Sequence, residues 1–102
     1  MKINNSIFLP GKVNYNEFNI DFSQDLKLQY ENLNEDLVQV EYGKGYILDI
    51  GWYPECDEAG CVIVQLIHNK DWTTPIVKKE CNNMSAILNC ISEIKRMIGH
   101  NK

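Results

Sequence analysis

The sequence predicts an α+β domain: a four-stranded antiparallel meander sheet packed by a C-terminal amphipathic helix, with a further helix near the N-terminus. Three observations carry this. Apolar and polar residues alternate in runs between Leu37 and Cys81, as half-buried strands require. Brief turn signals interrupt the alternation at Gly43-Lys44-Gly45, Pro54 to Gly60 and Asn69-Lys70-Asp71, and short connections make neighbouring strands antiparallel. After Asn82-Asn83 the apolar spacing changes to threes and fours, the period of a helix.

Residues 1–20 are rich in Asn and weakly patterned, so an irregular arm is expected there. A short strand or an ordered arm around Ile7-Phe8-Leu9 would precede the Pro10-Gly11 turn. In residues 22–37, Phe22, Leu26, Tyr30, Leu33 and Leu37 are spaced four, four, three and four apart, which is one face of a helix. Ser23 is placed to cap its start. Leu26, Leu28 and Tyr30 also alternate as a strand would, and the length of the segment decides for the helix.

Val38, Val40 and Tyr42 form the first alternating run, and Tyr46, Leu48, Ile50 and Trp52 the second, a hairpin around the glycine-rich loop. Cys61 to His68 is the most β-prone stretch. Ile76 to Cys81 is weaker and more charged, so it is expected at a sheet edge, where Lys78 and Lys79 discourage stray pairing. In the closing helix Met84, Ile87, Ile91, Ile94 and Ile98 share one face, Lys95 and Arg96 suit the C-terminal end of the dipole, and Gly99 is placed to stop it before His100.

At 102 residues, with 44% hydrophobic and 24% charged side chains, the chain has the composition of one globular domain, and residues 1–102 are expected to form it. No uncharged run approaches the roughly 18 residues of a membrane-spanning helix. The first ten residues hold only three consecutive apolar side chains, too few for a signal-peptide core, so a cytoplasmic location is expected. Cys56, Cys61, Cys81 and Cys90 lack the paired spacing of a zinc ribbon, and a cytosolic chain keeps such thiols reduced.

Charge is unevenly placed. The 14 acidic and 10 basic residues give a net charge of −4. Residues 14–58 carry eleven acids and two bases, a local −9, whereas residues 68–102 carry a local +3. Such a chain is a poor match for a phosphate backbone and a better one for a basic protein.

Catalytic signatures are missing. There is no phosphate-binding loop, and Gly43-Lys44-Gly45 reads as a hairpin turn rather than part of a dinucleotide fingerprint. Of the two histidines, His68 ends a strand beside Asp71, and no serine lies on a strained elbow that would make it a nucleophile. The adjacent pairs Glu35-Asp36 and Asp57-Glu58 fall in turns and read as solvated acids. No metal and no cofactor are expected. Trp52 is in register with Leu48 and Ile50 and reads as core, Tyr53 points the other way, and Trp72 divides between a core plug and an interface anchor.

The run Leu48-Asp49-Ile50-Gly51-Trp52-Tyr53-Pro54-Glu55, the acidic turn with Asp57 and Gly60, and the later Trp72-Thr73-Thr74-Pro75 resemble small bacterial immunity proteins of contact-dependent growth inhibition systems. The resemblance extends over residues 36–99 and leaves residues 1–35 unassigned. It implies an inhibitor, not an enzyme, which protects the producing cell by binding a delivered toxin domain, often a nuclease and in many cases one that attacks tRNA. It also implies a basic partner, because nucleases act on polyanions. On this reading the toxin-binding residues are Glu55, Asp57, Glu58, Asp71 and Trp72, with Tyr53, Glu35 and Asp36 as secondary candidates. Gly51 would serve the fold by admitting a neighbouring backbone. The alternatives are a cytosolic interaction module that dimerises or docks on another protein, and a small enzyme built on His68.

Overall fold

In the computed structural model, which describes residues 1–100, five strands form one antiparallel sheet in chain order. They are β1 (Lys12–Asn16), β2 (Val38–Glu41), β3 (Tyr46–Tyr53), β4 (Cys61–His68) and β5 (Val77–Cys81), followed by the helix α1 (Met84–His100). The four expected strands are β2 to β5, and β5 lies at an edge as its lysines suggested. β3 and β4 pair over their full eight residues, from Tyr46 opposite His68 to Tyr53 opposite Cys61. Buried Val38, Val40, Leu48, Ile50, Trp52, Val62, Val64 and Leu66 make the inner face. Onto it pack Ile87, Cys90, Ile91, Ile94 and Ile98 of α1. The Asn83 carboxamide caps the helix by accepting from the Ala86 amide at 2.8 Å. Gly99 does not take the left-handed conformation that would stop the helix, so α1 runs on to His100.

The sheet has a fifth strand that the sequence reading assigned to an irregular arm. β1 pairs with β2, Val13 opposite Val40 and Tyr15 opposite Gln39, with an irregularity between Val13 and Tyr15 that breaks the alternation. The residues before it fold as a short 3-10 turn, Asn5–Phe8, rather than a strand. Its asparagines satisfy backbone groups: Asn4 accepts from the Ser6 amide, and Asn16 donates to the Ile3 carbonyl. Phe8, Phe18 and Ile20 reach the main core from this region.

The helix expected over residues 22–37 is replaced by a 3-10 helix, Leu26–Asn32, kinked at Gln29, followed by an irregular segment. Its cap is Asp25, whose carboxylate accepts from the Lys27 amide, whereas Ser23 donates to Asp21. The Gln29 carboxamide bonds both backbone groups of Asp21. These local polar bonds compete with the helical ladder. Beyond them the backbone finds better partners in β3: the Leu37 amide donates to Ile50 and the Trp52 amide to Asn34. Leu33 and Leu37 are fully buried by this route, so their helical spacing is satisfied by an irregular segment bonded to β3.

Gly51 fixes how that segment crosses. The Glu35 carbonyl lies where a side chain at Gly51 would begin: a Cβ there would stand 1.9 Å from that oxygen and 2.9 Å from the Tyr53 ring. Residues 35 and 36 therefore bulge over the sheet on the face opposite α1. Gly51→Ala is expected to lower unfolding stability by about 1–3 kcal/mol through overpacking, measured by urea denaturation. An unchanged midpoint would show that the crossing is not held against Gly51.

Candidate functional site

Strand alternation puts Ile47, Asp49, Gly51 and Tyr53 of β3 on the face opposite α1, beside Ile63, Gln65 and Ile67 of β4 and Lys78 of β5. The helix packs on the inner face. Because Gly51 leaves a gap among the side chains, the Tyr53 ring lies back across it. From the opposite side comes Trp72, in the β4–β5 loop, 46% exposed, with Ile76 at 47% nearby in sequence. Tyr53, Ile63, Gln65, Trp72 and Lys78 line an open groove of about 270 Å³.

The loop that presents Trp72 is held by Asp71. Its carboxylate accepts from the Thr73 and Thr74 amides at 3.2 Å each and from the Thr74 hydroxyl. These bonds, led by the Thr74 hydroxyl, hold the Asp71 carboxyl below its ordinary pKa. The Ile76 amide donates to the Leu66 carbonyl and returns the chain to the sheet.

Acids collect at the Tyr53 end. Asp49 is 4% exposed, and its carboxylate accepts one hydrogen bond among the described residues, from the Gln65 carboxamide at 3.2 Å. Burial pushes its carboxyl pKa up, Asp36 pushes it further, and the Gln65 bond opposes both. Tyr53 is raised by burial and then by Asp49, Glu35, Asp36 and Glu55. Tyr15 on β1 is pushed up to about 12 by burial, Asp36 and Asp49 among other groups. The ion pairs among the described residues are Lys27–Glu58 at 3.9 Å and Lys79–Glu93 at 3.6 Å. Neither neutralises Glu35, Asp36, Asp49 or Glu55.

Of the residues proposed from sequence, Tyr53 and Trp72 thus line one groove, and Glu35, Asp36 and Glu55 act on Tyr53 electrostatically. Asp57, Glu58 and Asp71 have structural commitments. The Asp57 carbonyl accepts from the indole of buried Trp52 at 2.7 Å, and its carboxylate accepts from the Ala59 amide. Glu58 faces Lys27 across an exposed gap. Asp49, Tyr15 and Gln65 were not singled out for the site. Asp49 stood in the quoted motif, but only the sheet shows that it is buried, and Tyr15 was hidden with β1.

Other candidates are committed elsewhere. His68 stacks on Tyr46 with ring centroids 4.3 Å apart, and its Nε2 lies 3.0 Å from the Lys44 carbonyl. Among the described residues no three His, Cys, Asp or Glu side chains are grouped to hold a metal ion. No helix there is long and apolar enough to cross a membrane. A hollow of about 470 Å³ lies between Pro10, Tyr42, Lys95 and Ile98. Two of its polar groups serve the chain itself: the Tyr42 hydroxyl donates to Phe8 and the Lys95 ammonium to Ile7.

Compared with protein-family models, curated proteins and solved structures, the chain matches none.

Asp49 gives this face a measurable pH signature. A carboxyl whose pKa is raised by folding stabilises the fold fully below its unfolded pKa, and that contribution is lost as pH rises through the folded value. Asp49→Asn is therefore expected to raise Tm at pH 7 by roughly 2–5 °C while keeping an acceptor for Gln65. The gain should close as pH falls through the ordinary carboxylate range near about 4. A variant no more stable than the parent at pH 7 would mean that the buried charge is already compensated.

Proposed function

We propose that this chain is an immunity protein. It binds a cognate contact-dependent growth inhibition toxin in the cytosol and neutralises it as a one-to-one complex, without catalysing a reaction. The toxin domain is a nuclease, with tRNA as a fitting substrate. The observation that carries this reading is the outer sheet face, where Tyr53 and Trp72 line a groove with Lys78 on its β5 side, and where four carboxylates that act on Tyr53 take part in neither ion pair among the described residues.

Exposed aromatics supply binding energy at protein interfaces, and acids around them attract a basic partner from a distance. A nuclease domain is basic because its substrate is a polyanion. The resemblance of Leu48 to Glu55 to growth-inhibition immunity proteins supports the same reading. This strand serves both faces: Trp52 packs in the core, while Tyr53 belongs to the outer groove. Covering a nuclease surface with acids obstructs the approach of nucleic acid, so inhibition requires no chemistry.

Co-expression with the product of the adjoining upstream gene tests the function, with a stable complex and protection of toxin-exposed cells as the expected result. Reversing Glu35, Asp36 and Glu55 together to Lys should slow association at low salt by about tenfold or more and change dissociation less. An unchanged association rate removes this face from the interface. If neither a complex nor protection appears and the chain self-associates, the interaction-module reading replaces the immunity reading.

A further inference from the structure

We propose that this chain forms a two-fold dimer through β5, whose free edge pairs antiparallel with the β5 edge of a second copy, centred on Lys79. This goes beyond the toxin-binding reading and does not rest on it.

The backbone comes first. β5 ends the sheet, and among the described residues only β4 pairs with it. An edge strand presents a row of N–H and C=O groups that another strand can pair. Lys78, Lys79 and Glu80 follow one another along this edge, all three exposed. The other edge strand, β1, is less suited to a regular ladder. It is irregular between Val13 and Tyr15, and the Asn16 carboxamide at its end is bonded to the Ile3 carbonyl.

The sequence of β5 selects the occupant. Val77-Lys78-Lys79-Glu80-Cys81 is complementary to itself in charge when reversed. An antiparallel pair centred on Lys79 sets Lys78 opposite the second copy's Glu80, and Glu80 opposite its Lys78, all on the outer face. Neither Lys78 nor Glu80 belongs to an ion pair among the described residues, and the two-fold supplies each with the opposite charge. With the outer faces kept together, centring one residue earlier opposes Lys78 to itself, and one residue later opposes Glu80 to itself. Like charges directly opposite are destabilising. The edge lysines thus reject other registers and accept this one. Lys79 is also the middle of the five-residue strand, so this centre pairs the whole of β5.

The inner face fits the same axis. Lys79 meets the second copy's Lys79 there, but Glu93 of α1 lies 3.6 Å from its ammonium. The lysines therefore meet as two ion pairs rather than as bare cations. The result is an isologous two-fold contact, the commonest form of oligomer. Both outer faces stay on one side of the joined sheet, which leaves one toxin-binding surface per chain.

The test is sedimentation velocity of the full chain from about 10 μM to about 1 mM in about 0.15 M salt, where charge is screened beyond about 8 Å. A concentration-dependent shift from monomer to dimer is expected within this range. Lys78→Glu alone and Glu80→Lys alone should each weaken the dimer about tenfold or more, because the two-fold applies each change twice. The double swap Lys78→Glu/Glu80→Lys restores the opposed charges and should return the dissociation constant to within about threefold of the parent. An equimolar mixture of the two single variants should form the mixed dimer, since each supplies the charges that the other lacks. Both positions are exposed, so these variants do not depend on repacking the core.

A monomer throughout the concentration range would overturn the proposal. So would a dimer that neither single variant weakens, or a double swap that binds no tighter than the single variants. None of these measurements involves the toxin, so their outcome is separable from that of the immunity reading. A β5 dimer without a toxin complex or protection removes the immunity reading alone, and a toxin complex formed by a chain that stays monomeric removes the dimer alone.

Discussion

The close approach of the Glu35 carbonyl to Gly51 is the contact from which the outer face is built. A strand that alternates cleanly would put a side chain at this position, and that side chain would fill the space now used by the Glu35 backbone and the Tyr53 ring. With no Cβ, β3 accepts a bulging neighbour on one side and the ring of its own Tyr53 on the other. The bulge carries Glu35 and Asp36 over the sheet, both into range of Tyr53 and Asp36 also into range of Asp49 and Tyr15. One missing methyl group thus couples the packing of residues 33–37 to the electrostatics of the surface.

The two faces of the sheet are built for opposite purposes. On the inner face, aliphatic residues of β2, β3 and β4 meet the apolar stripe of α1, and the indole of Trp52 satisfies its N–H on the Asp57 carbonyl. That bond ties the β3–β4 turn to the core at Asp57. On the outer face, Asp49 is buried at a cost, because burial and Asp36 both oppose its ionisation. Concentrating acids around a partly enclosed aromatic surface lowers stability locally and leaves attraction available to an incoming cation.

Much of the framework was legible because its signals are local and periodic. The isoleucine spacing of α1, the alternation of β2 to β4 and the lysines of edge strand β5 each needed only a short window of sequence. Trp52 was readable as core from its register with Leu48 and Ile50, and the role of Gly51 from the lack of a side chain in a strand. The first 37 residues were misread for two physical reasons. The irregularity in β1 interrupts the alternation between Val13 and Tyr15 that would have revealed a strand. The helical spacing from Phe22 to Leu37 came from residues that reach the core by different routes: a kinked 3-10 turn and then an irregular stretch bonded to β3.

The candidate site was only half legible. Tyr53 and Trp72 could be picked out as candidate contact aromatics, but 19 positions separate them in the chain, and only the β3–β4 pairing and the fold of the Asp71 loop bring them to one groove. By itself the sequence determined the meander, the closing helix, the acidic excess of residues 14–58 and the aromatics available for contact. The tertiary structure decided which acids remain free, since Asp57 and Asp71 are spent on turns while Glu35 and Asp36 are carried over the sheet. It also decided that Asp49 is enclosed rather than solvated. The reason lies in range: strand alternation and helix periodicity are set by neighbours in sequence, whereas burial and electric field depend on residues that only the folded sheet brings together.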